Sequence, residues 1–176
     1  MNHLNIEIKA RCSDAKKIRK ILTKHNADFR GVDHQIDTYF RVNSGRLKLM
    51  EGNIENHFIY YEREDKEGPK QSNVTLMPTV LYGESLKEIL VKSLGVLAVV
   101  DKRREIYFIG NVKFHLDDVC YLGKFVEIKA INYDRRPLCR DVLFNECSHY
   151  LKLFNISQED LVSRSYSDMI MEMQSK

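Results

Sequence analysis

The stretch Asp101–Ala130, "DKRREIYFIGNVKFHLDDVCYLGKFVEIKA", decides the fold. Gly110-Asn111 splits two runs of alternating residues, and glycine at the first central position of a two-residue loop suits a type II′ hairpin turn. Before the turn, Lys102 and Arg104 share one face. After it, Lys113, His115 and Asp117 oppose Val112, Phe114 and Leu116. A third run sets Glu127 and Lys129 against Val126, Ile128 and Ala130. Period-two alternation is the signature of strands with one buried face. Strands this close in sequence pair as hairpins, because a parallel pairing needs a crossover of a dozen or more residues.

The same pattern extends outward. "LNIEIKAR", Leu4–Arg11, places Leu4, Ile6, Ile8 and Ala10 opposite Asn5, Glu7, Lys9 and Arg11. "HQIDTYFRV", His34–Val42, runs into the turn residues Asn43-Ser44-Gly45, and "RLKLM", Arg46–Met50, follows as a hairpin partner. "HFIYYERE", His57–Glu64, is aromatic and β-branched, and "SNVTLMP", Ser72–Pro78, is a short strand stopped by its proline. Glu64–Asn73, with Gly68 and Pro69, reads as a loop. Helices punctuate the strands. Ser13 followed by "DAKKIRKILTKHN" reads as a capped amphipathic helix, and "GESLKEILVKSLG" as another stopped by Gly95. "RRPLCRDVLFNECSHYLKLF" is helical with Pro137 near its first turn, and "SQEDLV" and "SYSDMIMEM" are short helices after it. The predicted order is strand, helix, four strands, helix, three strands, helices. That is an α+β chain whose eight antiparallel strands can close into a barrel.

At 176 residues the chain suits one domain spanning 1–176. No apolar run approaches the ~20 residues that span a bilayer, and the first residues lack the pattern of a secretory signal. Four cysteines without a CxxC pair read as reduced thiols, so the expected location is cytoplasmic. A net charge of +3 is too mild to indicate a nucleic-acid protein. The charges are unevenly placed, however. The polar strand faces collect Lys9, Arg11, Arg46, Lys48, Arg63, Lys102, Arg104, Lys113 and Lys129 against Glu7, Asp117 and Glu127, a sum of +6 that leaves −3 for the rest of the chain. Helices with apolar stripes must pack on something, and the apolar strand faces are the available partner. If they cover the outside of a curled sheet, the polar faces turn inward. A dry, unpaired lining of this kind is very costly, whereas a wet one suits a polyanion. Bases neutralise phosphate oxygens, and the few carboxylates suit a hard divalent cation bridging to them.

Taken together, "NIEIKAR", "DTYFRV", "GRLKLM", "YYERED", the segment from Asp101 to Ala130 and the closing "RSYSDMI" resemble the CYTH superfamily, named for class IV adenylate cyclases and thiamine triphosphatases. The likeness is greatest to the class IV cyclase-like branch and covers nearly the whole chain. It implies the triphosphate tunnel fold, an eight-stranded antiparallel barrel with helices outside, and metal-dependent chemistry on a triphosphate with Mg²⁺ or Mn²⁺. It further implies that Lys9, Lys102 and Arg104 are catalytic, and that Lys9, Arg46, Lys48, Arg63, Lys102, Arg104 and Lys113 bind the substrate. Glu7, Asp117 and Glu127 are the implied metal ligands. Two positions depart from the family pattern: Asn5 stands where the first motif acid is expected, and Lys129 where some relatives carry a second late acid.

Other residues read more plainly. His115 suits a structural histidine first and a proton shuttle second. Tyr166 resembles a family tyrosine that closes one tunnel mouth. Asp37 is either part of the site or the holder of a strand end. The expected partner is a small triphosphate such as ATP, with no nucleic acid and no membrane, and a homodimer is left open. Three functions compete: cyclisation of ATP to cyclic AMP and pyrophosphate, hydrolysis of inorganic, thiamine or nucleoside triphosphate, and triphosphate binding without turnover.

Overall fold

The computed structural model describes residues 2–79, 83–132 and 139–175. Eight strands form a closed antiparallel barrel in the order β1-β5-β4-β3-β2-β6-β7-β8. They are β1 (Asn2–Arg11), β2 (Asp28–Phe40), β3 (Arg46–Gly52), β4 (His57–Arg63), β5 (Lys70–Pro78), β6 (Val96–Ile109), β7 (Val112–Val119) and β8 (Gly123–Asn132). Helix α1 (Ala15–Lys24) follows β1, α2 (Gly83–Leu94) follows β5, and α3 (Arg140–Leu153) and α4 (Tyr166–Gln174) come after β8, with a 3₁₀ turn at Gln158–Asp160 between them. Gly110 takes a φ of +57° between β6 and β7, as the hairpin reading requires.

The apolar strand faces point outward. Ile6, Ile8, Phe114, Val126 and Ile128 form one core with Ile18 and Leu22 of α1 and Leu143 and Cys147 of α3. Phe40, Leu47, Leu49 and Phe58 lie under Leu86, Leu90 and Leu94 of α2. The faces left inside are polar through the middle of the barrel. At the end where β1 finishes they turn apolar: Tyr39, Ala98, Val100, Val119 and Phe125 meet Tyr166 and Ile170 of α4. Helix α4 is thus a plug, and the lumen it closes lies on the other side of Tyr166.

Several boundaries differ from the sequence reading. β2 begins at Asp28 rather than His34, because Gly31, at φ +122°, sits at a register shift that lets the strand bend and continue. β6 likewise begins at Val96, ahead of the stretch that opens at Asp101. β5 begins at Lys70 rather than Ser72, so residues 70–71, read as loop, open the strand. Its first inward positions, Lys70 and Ser72, are polar because this part of the lumen is polar, so the usual apolar alternation is absent. Asp14, not Ser13, caps α1, its side chain accepting from the backbone N–H of Lys17. "SQEDLV" shrinks to the 3₁₀ turn, and Pro137 lies outside the described residues. All four cysteines are free, Cys12 and Cys147 buried and Cys120 and Cys139 exposed.

Leu143 is fully buried where α3 meets the outside of the barrel. Leu143→Ala should destabilise the protein by about 2–5 kcal/mol in urea unfolding, the usual range for a cavity of this kind.

Candidate active site

The lumen encloses about 770 Å³, within the ordinary range of ligand sites. Its lining includes the bases Lys9, Lys48, Arg63, Arg104, Lys113 and Lys129 and the acids Glu7, Asp37, Glu55 and Glu127. These come from seven strands and one turn, so only the closed barrel brings them together.

The charges form a connected lattice. Arg63 donates to Glu7 at 2.7 Å, and Lys129 lies 3.7 Å from the other oxygen of Glu7. Glu127 is central: Lys9 stands 3.6 Å from Oε1, and Arg104, His115 Nδ1 and Lys129 surround Oε2 at 3.2, 3.0 and 3.2 Å. Burial works to raise the Glu127 carboxyl, but Lys129, Lys9 and His115 outweigh it and hold it well below the usual carboxylate range. Arg104 grips Asp117 with two bonds of 2.6 Å. Tyr166 donates its hydroxyl to Asp117 at 2.7 Å and sets its ring 3.6 Å from the Lys9 ammonium. Burial pushes Lys9 down to about 7, with Glu127 opposing and Arg63 adding to the fall. Burial also drives His115 well below its ordinary value, helped by Arg104, so the imidazole is neutral.

Not every expected residue reaches the lumen surface. Lys102 is buried against Asp37, whose Oδ2 takes both Lys102 and Lys48 at 2.6 and 2.7 Å. Arg46 sits at the plugged end, bonded to Asp65 and to Asp168 of α4. Asp117 lies behind Arg104 and Tyr166 rather than in the cavity lining. Arg11 ends exposed beyond the lumen. With Arg11, Arg46 and Lys102 off the lining and Asp37 and Glu55 on it, the lumen is less positive than the strand pattern suggested. Asp37 is a mid-strand counter-ion for two lysines. Glu55 came unannounced: it sits in a polar turn, bonded to Lys113 at 2.5 Å, and Asp33 fixes that turn by accepting the N–H groups of Ile54 and Glu55.

Among the described residues, no three of His, Cys, Asp and Glu are grouped as a ready-made metal cage. The donors that line the lumen nonetheless suit a hard cation that shares phosphate oxygens. Glu7 and Glu127 supply carboxylates, and the buried Asn5 Oδ1, also on the lining, has no hydrogen-bond partner. Magnesium commonly binds through one or two carboxylates plus substrate phosphates.

Residues 3–166 match the CYTH domain, a span that runs from the first strand to the plugging tyrosine. The chain belongs to the CYTH family. A Methanocaldococcus jannaschii protein provisionally named an adenylate cyclase is 26% identical over 175 residues, covering 94% of this chain and 98% of that one. Among solved structures, a Pyrococcus horikoshii protein superposes with a TM-score of 0.80 at 24% identity, over 93% of this chain and 98% of its own. A Hippeastrum protein, also provisionally named a cyclase and described as having a dominant triphosphatase activity, superposes with a TM-score of 0.64 at 13% identity over 99% and 96% of the two chains. CYTH proteins bind triphosphates, and CYTH enzymes generally use divalent metals. No helix among the described residues is long and apolar enough to cross a membrane.

Burial pushes Lys102 down to about 8 despite Asp37. A lysine whose folded value is below its unfolded one, about 10.4, binds fewer protons folded than unfolded between the two. Stability should therefore rise from about pH 8 to about pH 10 in the wild type relative to Lys102→Met. Urea titrations of both proteins across that window test this; a constant difference would contradict it.

Proposed function

We propose that this CYTH protein is a metal-dependent enzyme acting on an organic triphosphate, with ATP as substrate and cyclic AMP and pyrophosphate as products. The observation that carries the reading is the two-part lumen. Its middle is the ion lattice described above. Its far end, opposite the α4 plug, is lined by Met50, His57, Val74, Leu76, Phe108 and Ile131. A charged middle suits the phosphates, and an apolar end with two rings suits an organic group. Inorganic triphosphate would leave that end unused.

In this reading Lys9, Lys48, Arg63, Arg104 and Lys113 hold phosphate oxygens, the arginines through paired N–H donors. Their present carboxylate partners keep them placed before substrate arrives, so little reorganisation is left for the moment of binding. Glu7, Glu127 and the Asn5 oxygen would hold Mg²⁺ or Mn²⁺, which supplies neutralisation of phosphate charge. Asp117 serves by orienting Arg104. Lys102 acts through Asp37, keeping Lys48 in place. Cyclisation forms a bond from the ribose 3′-oxygen to the α-phosphorus, breaks the bridge to the β-phosphate and releases the hydroxyl proton. It needs the ribose held in line.

Hydrolysis is the second reading. It needs only a water at the γ-phosphorus. The apolar end favours it in one respect: it offers few polar side chains that could hold a ribose, and of these Glu55 is engaged with Lys113. The activity described for the Hippeastrum protein points the same way.

The deciding experiment incubates the protein with ATP, inorganic triphosphate and thiamine triphosphate, with Mg²⁺ or Mn²⁺, and separates the products. Cyclic AMP with pyrophosphate is the expected result. ADP with orthophosphate and no cyclic nucleotide would select hydrolysis, and no turnover of any compound would leave a binding protein. Arg63→Ala should weaken ATP binding roughly 10- to 100-fold in calorimetry, since a charge-assisted hydrogen bond contributes about 1.5–3 kcal/mol. Glu127→Gln should abolish metal-dependent turnover; full activity in that variant would remove Glu127 from the metal site.

A further inference from the structure

Lys70 opens β5 opposite Glu7, on the inward face of the barrel, yet it is not part of the lumen lining. Its side chain is only 1% exposed as a residue, and among the described residues no carboxylate pairs with it. Its ammonium instead donates to three backbone carbonyls: Lys66 at 2.9 Å, Val162 at 2.9 Å and Ser163 at 3.0 Å. Glu7, Glu127 and Asp65 act on it only without direct contact, and burying an ammonium with no direct ion pair is expensive; an apolar side chain would fill the same space more cheaply. The three bonds use all of its donors.

Two of those carbonyls belong to the segment that leads into α4. That segment is also joined to β1, through an Ala10–Leu161 bridge and a 2.9 Å bond from the Val162 N–H to the Lys9 carbonyl. Ser165 then caps α4 in a reciprocal arrangement with Asp168, and Tyr166 enters the lumen against Asp117 and beneath Lys9. Lys70 therefore grips the chain three residues before the tyrosine that closes the site. Arg46 makes the corresponding tie further along, from Asp65 in the loop after β4 to Asp168.

We propose that Lys70 is a positioning residue: by clamping the Val162 and Ser163 carbonyls it holds Tyr166 in the lumen, and through Tyr166 it sets the Lys9 ammonium and Asp117 for the phosphate-binding lattice. The clamp itself stands on the hydrogen bonds alone; its effect on ligand rests on the triphosphate reading above. The loop after β4, the end of β1 and the start of α4 are tied at one point, so the plug and the charged lumen are mechanically one unit.

The test uses Lys70→Met, which keeps the length of the side chain and removes the donors, with Lys70→Gln as a milder second variant. Hydrogen exchange of the ligand-free proteins is read first. In both variants the Val162 amide and the first turn of α4 should exchange at least tenfold faster, while β7 and β8 are unchanged. Calorimetry with inorganic triphosphate and Mg²⁺ is read second. Lys70→Met should weaken binding about tenfold in the wild-type background and less than twofold in a Tyr166→Ala background, because the effect passes through Tyr166. Unchanged exchange at Val162 in a folded variant, exchange raised equally throughout the barrel, or effects on affinity that simply add would each overturn the proposal. If wild-type protein binds no triphosphate, the functional reading fails, and the exchange comparison still decides the clamp.

Discussion

Glu127 and the cations around it are the interaction on which the rest of the structure depends. A carboxylate buried alone inside a protein is strongly destabilising, and so is a buried lysine or arginine. Here Lys9, Arg104 and Lys129 surround one carboxylate while Glu7 takes Arg63, and Asp37 takes Lys48 and Lys102. Apart from Lys129, which shares β8 with Glu127, each cation comes from a different strand from the carboxylate it meets, so these pairs form only once the strands are assembled. Closure in turn requires the apolar strand faces to be outside, which is why three helices pack there. The lattice is weak grounds for stability, since an apolar core of the same volume is often as stable or more so. It is better grounds for a binding site, where an arriving polyanion meets cations already placed.

The two ends of the barrel are treated differently, and that asymmetry gives the lumen a direction. At one end, inward positions become apolar and meet α4; Phe125 packs edge-on to Tyr166, with ring centroids 5.1 Å apart. At the other end the inward positions are also apolar but are left to line the cavity. Most of the lumen's charge thereby lies in the middle. A ligand with a compact anionic part and an apolar part has one natural orientation, its apolar part away from α4.

Much of this was legible in the sequence because period-two alternation is strict where one face is apolar and the other charged. Asp101–Ala130 shows three such strands in a row. The strands on either side carry the same pattern, so the inward-facing bases and acids could be named before their partners were known. What escaped notice has a common physical cause. Lys70 faces inward, but its neighbours Gln71, Ser72 and Asn73 are all polar, so no alternation marks the start of the strand. Glu55 is placed by a turn built on Asp33, a contact between residues far apart in sequence that no local pattern announces. Arg46 and Lys102 have the right parity, but which carboxylate captures each depends on closure of the barrel and on α4, and parity says nothing of either.

The most direct measurement of the central claim is a crystal structure of the protein with inorganic triphosphate and Mn²⁺, using anomalous scattering to locate the metal. Triphosphate is expected in the middle of the lumen, in contact with Arg63, Arg104 and Lys48, with manganese beside Glu7 and Glu127. A lumen still holding its full set of internal ion pairs, with triphosphate absent or bound only on the outer surface, would contradict it.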